Sequence, residues 1–220
     1  MILAVVGGKG GVGKTTVAYN LAAEVDAVAV DADLGMADLP ESRGPDLHDV
    51  LAGRASAIEA VDESGPVDLL PCGRTLAGAR ACDVRRLPEA LTAVERAYGR
   101  VVVDCPAGLA SDSGAALLAA DACVVVTTPS RVALADALRA RALARALDAG
   151  LARVVVNRSD GQETEAVRDA LGAPVVEIPN AAHVSRAMAH GQPVAALAPD
   201  ATAAERFEEL AAGVQRSVSS

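Results

Sequence analysis

Short runs of valine, alanine, isoleucine and leucine recur along the chain, separated by longer stretches in which alanine and leucine interleave with arginine and glutamate. Continuous apolar runs of about four to eight residues between turn residues mark strands buried on both faces, whereas apolar positions spaced by three and four mark helices lying on such a sheet. This pattern predicts strands near 2–7, 26–31, 67–70, 101–104, 122–127, 153–157 and 174–178. Helices are predicted near 14–24, 47–52, 88–98, 113–119, 131–148, 163–171, 183–190 and 203–213. The clearest of them, 132–148, carries an expected apolar stripe of Leu134, Leu138, Ala142 and Leu147 beside Arg139, Arg141 and Arg145. Alternation of this kind predicts a doubly wound α/β fold, a mainly parallel sheet with helices on both faces. Gly- and Pro-bearing segments at 40–45 and 62–66 read as surface loops, and 217–220 as a frayed tail after one domain spanning 1–216.

Composition narrows the function. A chain of 220 residues, 51% apolar, suffices for one α/β domain with a sizeable core. Twenty basic against 29 acidic residues, a balance of −9, argue against bulk electrostatic binding of nucleic acid or anionic lipid. Arg139, Arg141 and Arg145 read as a solvated helix face. The start MILAVVGG reads as a first strand, and the four cysteines, without paired short spacing, suit a reducing cytosol, so a cytoplasmic protein is expected. The longest apolar stretch, 117–126, is broken by Asp121 and does not predict a membrane span. His48, His183 and His190 lack ligand spacing and are expected to be solvated or capping. With Tyr19, Tyr98 and Phe207 as its aromatic residues, the core must be Ala, Val and Leu, and a bound base would meet aliphatic groups and backbone.

The first strand runs into Gly8-Lys9-Gly10-Gly11-Val12-Gly13-Lys14-Thr15-Thr16 and then a helix, the context that G-x-x-x-x-G-K-[ST] requires for phosphate binding. Glycines let successive N–H groups turn inward as an anion nest, and the helix beginning near Lys14 adds its positive end. Lys14 would place a compact cation on the β- and γ-phosphates, Thr15 would ligate Mg²⁺, and Thr16 would bond an inner phosphate. Lys9 and Lys14 are the only two lysines of the chain. In a chain that otherwise uses arginine, that restriction points to a task arginine cannot perform. Further on, Asp31, Asp33 and Asp38 follow the second strand, and Asp104 ends the run Val101-Val102-Val103 before Cys105-Pro106-Ala107-Gly108. Carboxylates at these strand ends would stand beside the phosphate loop.

KGGVGKT resembles the deviant Walker A loop of the MinD/ParA family, and DADLG and VVVDCPAG are similar to that family's two switches. The resemblance covers almost the whole chain, with a shortened join between the first helix and the second strand. It implies ATP and Mg²⁺ as cofactors, an ATPase reaction, and a homodimer in the ATP state. It implies that Lys9 adds transition-state charge across the dimer, that Asp33 orients or deprotonates the attacking water, and that Asp104 holds Mg²⁺ through water. Gly108 would offer its N–H to the γ-phosphate; Asn157, beside Arg158, would read adenine with its amide, and the turn at Pro179 would wall the base. Asp31 would anchor the phosphate loop or the metal's water shell, and Asp38 would be a further switch residue. The implied output is a timed interaction with a regulatory or cargo protein in spatial positioning, as in cell division. Residues 203–220 lack a basic amphipathic pattern, so direct membrane binding is not expected. The alternatives are a partition-type ATPase that binds DNA, a metal-cluster carrier or assembly ATPase of the same superfamily, and a non-hydrolysing nucleotide-responsive scaffold.

Overall fold

The computed structural model describes residues 1–8, 10–35, 39, 44–108, 111–161 and 164–218. Seven strands form one sheet: β1 (Ile2–Val6), β2 (Val28–Asp31), β3 (Leu69–Leu70), β4 (Val101–Asp104), β5 (Ala122–Thr127), β6 (Gly150–Ser159) and β7 (Val175–Pro179). Their spatial order is β3-β2-β4-β1-β5-β6-β7 and every neighbouring pair is parallel. The helices are α1 (Lys14–Val25), α2 (Leu47–Leu51), α3 (Leu76–Ala81), α4 (Leu87–Tyr98), α5 (Ser111–Ala119), α6 (Arg131–Ala146), α7 (Thr164–Leu171), α8 (Ala182–Ala189), α9 (Val194–Leu197) and α10 (Thr202–Val218).

Strand alternation divides the core. Ile2, Ala4 and Val6 of β1 face the side covered by α2 and α4 to α7, while Leu3 and Val5 face α1, α8 and α10. Both faces are buried, which explains why the strands read as uninterrupted apolar runs. α4 follows the helical period: Leu87, Ala90, Leu91 and Val94 are its buried residues, Pro88 lies in its first turn, and Gly99 (φ 85°) ends it. Truncating fully buried Leu91 to alanine would cost about 2–5 kcal/mol.

α6 departs from the expected stripe. Its buried face is Ala133, Ala137, Ala140 and Ala144, whereas Leu138 and Val132 are exposed. Small side chains let the helix lie close to the sheet, so the larger leucines are left to its flanks. α3, α9 and the 3₁₀ turn Val84–Arg86 were not expected; each is too short to show a full period. At the other end, α10 continues through Ser217 and Val218, where fraying was expected: Ser217 Oγ donates to the Gly213 carbonyl (3.2 Å) and Arg153 Nη1 donates to Ser217 Oγ (2.6 Å). α1 is tied to the turn before α9, because Tyr19 Oη donates to the Gly191 carbonyl and the Val194 N–H donates to Asn20 Oδ1, both at 2.7 Å. Among the described residues no helix is long and apolar enough to cross a membrane.

Candidate functional site

β1 delivers the chain to the carboxyl edge of the sheet between β4 and β5, where the winding direction reverses. Two glycines make the turn there for different reasons. A methyl group on Gly8 would lie 2.2 Å from the Asp136 carbonyl oxygen, so the loop backbone rests directly on α6. Gly13 has φ 92°, in the left-handed region that costs other residues about 1–2 kcal/mol, and a methyl there would fall 2.1 Å from Asn157 Nδ2. α1 begins at the next residue. Gly13 contributes no side-chain cap, and the first turn holds no acidic residue, so the positive end of the helix is not offset locally. Lys14 is buried at 8% exposure. Burial and the neighbouring Asp104 charge push the Cys105 thiol well above its ordinary range, and the Lys14 charge opposes them. Thr15 and Thr16 are half-buried.

Asp31 and Asp104 stand opposite one another in the register of β2 and β4, and both are buried. Asp31 does not simply point at the phosphate loop: its two carboxylate oxygens accept from the Asp33 and Leu39 N–H groups, each at 3.2 Å. The turn that carries half-buried Asp33 is held at other atoms too. The Ala32 N–H donates to the Asp104 carbonyl (3.0 Å), and Arg74 Nη2 donates to the Leu39 carbonyl (3.1 Å). His48 Nε2 lies 3.1 Å from the Leu34 carbonyl. A carbonyl only accepts, which assigns the proton to Nε2. His48, expected to be solvated or capping, is therefore a buried pin under the turn after β2. Cys72 Sγ lies 3.3 Å from the same nitrogen, and burial, with the charges of Asp31 and Asp46, raises that thiol far above its ordinary value.

The segment after β4 meets the loop from the other side. The Gly108 N–H donates to the Gly7 carbonyl at 3.4 Å, and a methyl on Gly10 would lie 3.9 Å from Ala107 Cβ. From β6, Asn157 Nδ2 donates to the Val12 carbonyl (2.8 Å) and Asn157 Oδ1 accepts from the Arg158 N–H (3.0 Å). Both ends of the amide expected to face a base thus bond backbone. Arg158 is exposed with φ 57°, and Pro179 is half-buried at the end of β7. Lys9 and Asp38 lie outside the described residues.

The described site gathers a loop with glycines at Gly8, Gly10, Gly11 and Gly13, buried Lys14, half-buried Thr15, and the two buried carboxylates Asp31 and Asp104. Positive charge nearby favours the ionised form of two buried carboxylates on neighbouring strands. Hydroxyl and carboxylate oxygens are the donor set that Mg²⁺ prefers, so these residues fit that ion together with a polyphosphate. Among the described residues, no group of three or more His, Cys, Asp or Glu is placed to hold a metal ion.

The CobQ/CobB/MinD/ParA nucleotide binding domain family matches residues 3–194. An uncharacterised ATP-binding protein of Methanocaldococcus jannaschii is 34% identical across 96% of this chain and 86% of its own length. The septum site-determining protein MinD of Synechocystis is 30% identical across 80% of this chain and 74% of its own. Among solved structures, the septum site-determining protein MinD of Pyrococcus horikoshii, complexed with Mg-ADP, superposes with a TM-score of 0.90 at 30% identity, covering 98% of this chain and 96% of that one.

Proposed function

The chain belongs to the CobQ/CobB/MinD/ParA nucleotide-binding family, and on that premise we propose that it is a Mg²⁺-ATP-dependent switch that dimerises on ATP and hydrolyses it slowly. The carrying observation is the junction at Gly13, which presents a buried lysine and an uncapped helix start to the edge where Asp31 and Asp104 stand in register. The Mg-ADP bound to the P. horikoshii relative supports the cofactor assignment.

Each group has a task that phosphoryl transfer to water requires. The N–H groups of the loop and Lys14 neutralise and orient the phosphates, and Thr16 bonds an inner one. Thr15, and Asp104 through a coordinated water, would hold Mg²⁺, which would supply positive charge to offset that of the phosphates. Asp33 orients the attacking water and accepts its proton. Lys9 supplies a second cation to the twin subunit's nucleotide, the part an arginine finger plays elsewhere. Departure of the γ-phosphate frees the turns after β2 and β4, which loosens the dimer. The output is a timed contact with a regulatory or cargo protein in the cytoplasm, serving spatial positioning of the kind that the septum site-determining relatives are named for.

Light scattering with no nucleotide, ADP and ATP, paired with phosphate release, tests this. Wild type is expected to dimerise with ATP alone and Lys9→Ala to remain monomeric throughout. A wild-type monomer under all three conditions would overturn the switch.

A further inference from the structure

We propose that Asn20, together with its neighbour Tyr19, is a positioning residue that sets the base side of the nucleotide site against its phosphate side; this rests on the nucleotide-binding reading above. The two flanks of the phosphate loop differ in charge. Toward β4 and β2 the sheet edge carries the buried carboxylates Asp104 and Asp31. On the reading above that flank serves Mg²⁺ and the attacking water, which leaves the uncharged base the other flank, toward β6 and β7. There β7 ends at Pro179, opposite Ser159 of β6, and the chain turns through 180–181 into α8.

α8 is fastened at its far end rather than beside that turn. Ala181, which precedes it, supplies no side-chain cap, and its first turn holds no acidic residue. Buried Val184 and Ala187 press it onto the core, but apolar contact is non-directional and does not set where the helix lies along its own axis. Hydrogen bonds from α1 do so. Tyr19 Oη donates to the carbonyl of Gly191, two residues past α8 (2.7 Å). Asn20 is 1% exposed, and its Oδ1 accepts from the Val194 N–H (2.7 Å), capping α9 where Pro193 cannot. Its Nδ2 donates to the Thr16 carbonyl (2.8 Å) in α1 and to Met188 Sδ (3.6 Å) in α8. A flipped amide would set oxygen against the Thr16 carbonyl and nitrogen against the Val194 N–H, so the orientation is fixed. One side chain thus joins the phosphate-binding helix to α8 and α9. α8 has eight residues, a rod of about 12 Å, so holding its last turn decides where its first turn and the Pro179 turn stand. The phosphate loop does not depend on these bonds, because backbone closes the first turn of α1: the Val17 N–H donates to the Gly13 carbonyl (3.0 Å).

Calorimetry of wild type, Asn20→Ala and Tyr19→Phe with ATP and with inorganic tripolyphosphate reads the two sides separately. Asn20→Ala is expected to lose about ten-fold in ATP affinity and Tyr19→Phe about three-fold, each with tripolyphosphate affinity within about two-fold of wild type. A loss of stability alone would not separate the two ligands. Equal losses for both would place the effect on the phosphate loop and overturn the proposal, as would unchanged ATP affinity in the variants. Tyr19→Phe keeps the ring and lacks only the hydroxyl, so it tests the same link if Asn20→Ala does not fold. Hydrogen exchange on the ligand-free protein gives an independent reading. Faster exchange of amides 182–197 in the variants, with α4 unchanged, is expected, and unaltered exchange there overturns the proposal even if no nucleotide binds. Wild type that binds neither ligand, with α8 and α9 still loosened in the variants, would instead count against the nucleotide-binding reading.

Discussion

The phosphate loop after β1 and the turn after β2 leave the same edge of one sheet, yet they are held in place by different means. The loop is shaped by its own backbone: left-handed Gly13, Gly8 pressed onto α6, and one distant side chain, Asn157, on the Val12 carbonyl. After β2, residues 33, 34 and 39 are held largely by side chains, with Asp31 on the Asp33 and Leu39 N–H groups, His48 on the Leu34 carbonyl and Arg74 on the Leu39 carbonyl. A loop fixed by chain geometry is a standing receptor. A turn fixed by several separate hydrogen bonds can exchange them, which suits the γ-phosphate response proposed for it.

Substitutions should divide along the same line, loop changes acting on binding and turn changes on turnover. The largest effect is expected for Lys14→Ala, which removes the compact cation: calorimetry should show ATP affinity falling by more than about 100-fold, with turnover and dimerisation lost alongside. Asp33→Ala should lower phosphate release by about 100-fold or more while ATP affinity stays within about two-fold, and light scattering should find the ATP dimer persisting. If Asp33→Ala abolished binding as well, the division between the two regions would fail. His48→Leu keeps the bulk of the side chain but takes the donor from the Leu34 carbonyl. It is expected to cost about 1–3 kcal/mol in chemical denaturation and to slow phosphate release by about ten-fold at nearly unchanged ATP affinity.

The same contrast explains how much could be read from the chain. Glycines, lysine and threonines of the loop are contiguous, so G-x-x-x-x-G-K-[ST] exposes their joint purpose, and valine runs buried on both faces announce the strands. His48 was legible only as a lone histidine, because its partner carbonyl lies 14 residues away in the sequence. For Asn157 the position at a strand end was visible, but the direction of its amide depends on a register shift and on a loop 145 residues earlier. Asp31 shows the same limit: its place at the end of β2 was evident, its grip on the 33 and 39 amides was not. In α6 the leucines suggested the buried stripe, whereas close approach to the sheet selected alanines.

That alanine face has a mechanical result. A helix resting on methyl groups sits lower over its strands than one resting on isobutyl groups, since interaxial spacing follows the side chains at the contact. Ala137, Ala140 and Ala144 are thus spacers of minimum thickness, and they set the height of the floor on which Gly8 lies. Enlarging any one of them would raise α6 as a rigid bar and tilt the phosphate cradle from below, without altering a single residue that touches the nucleotide.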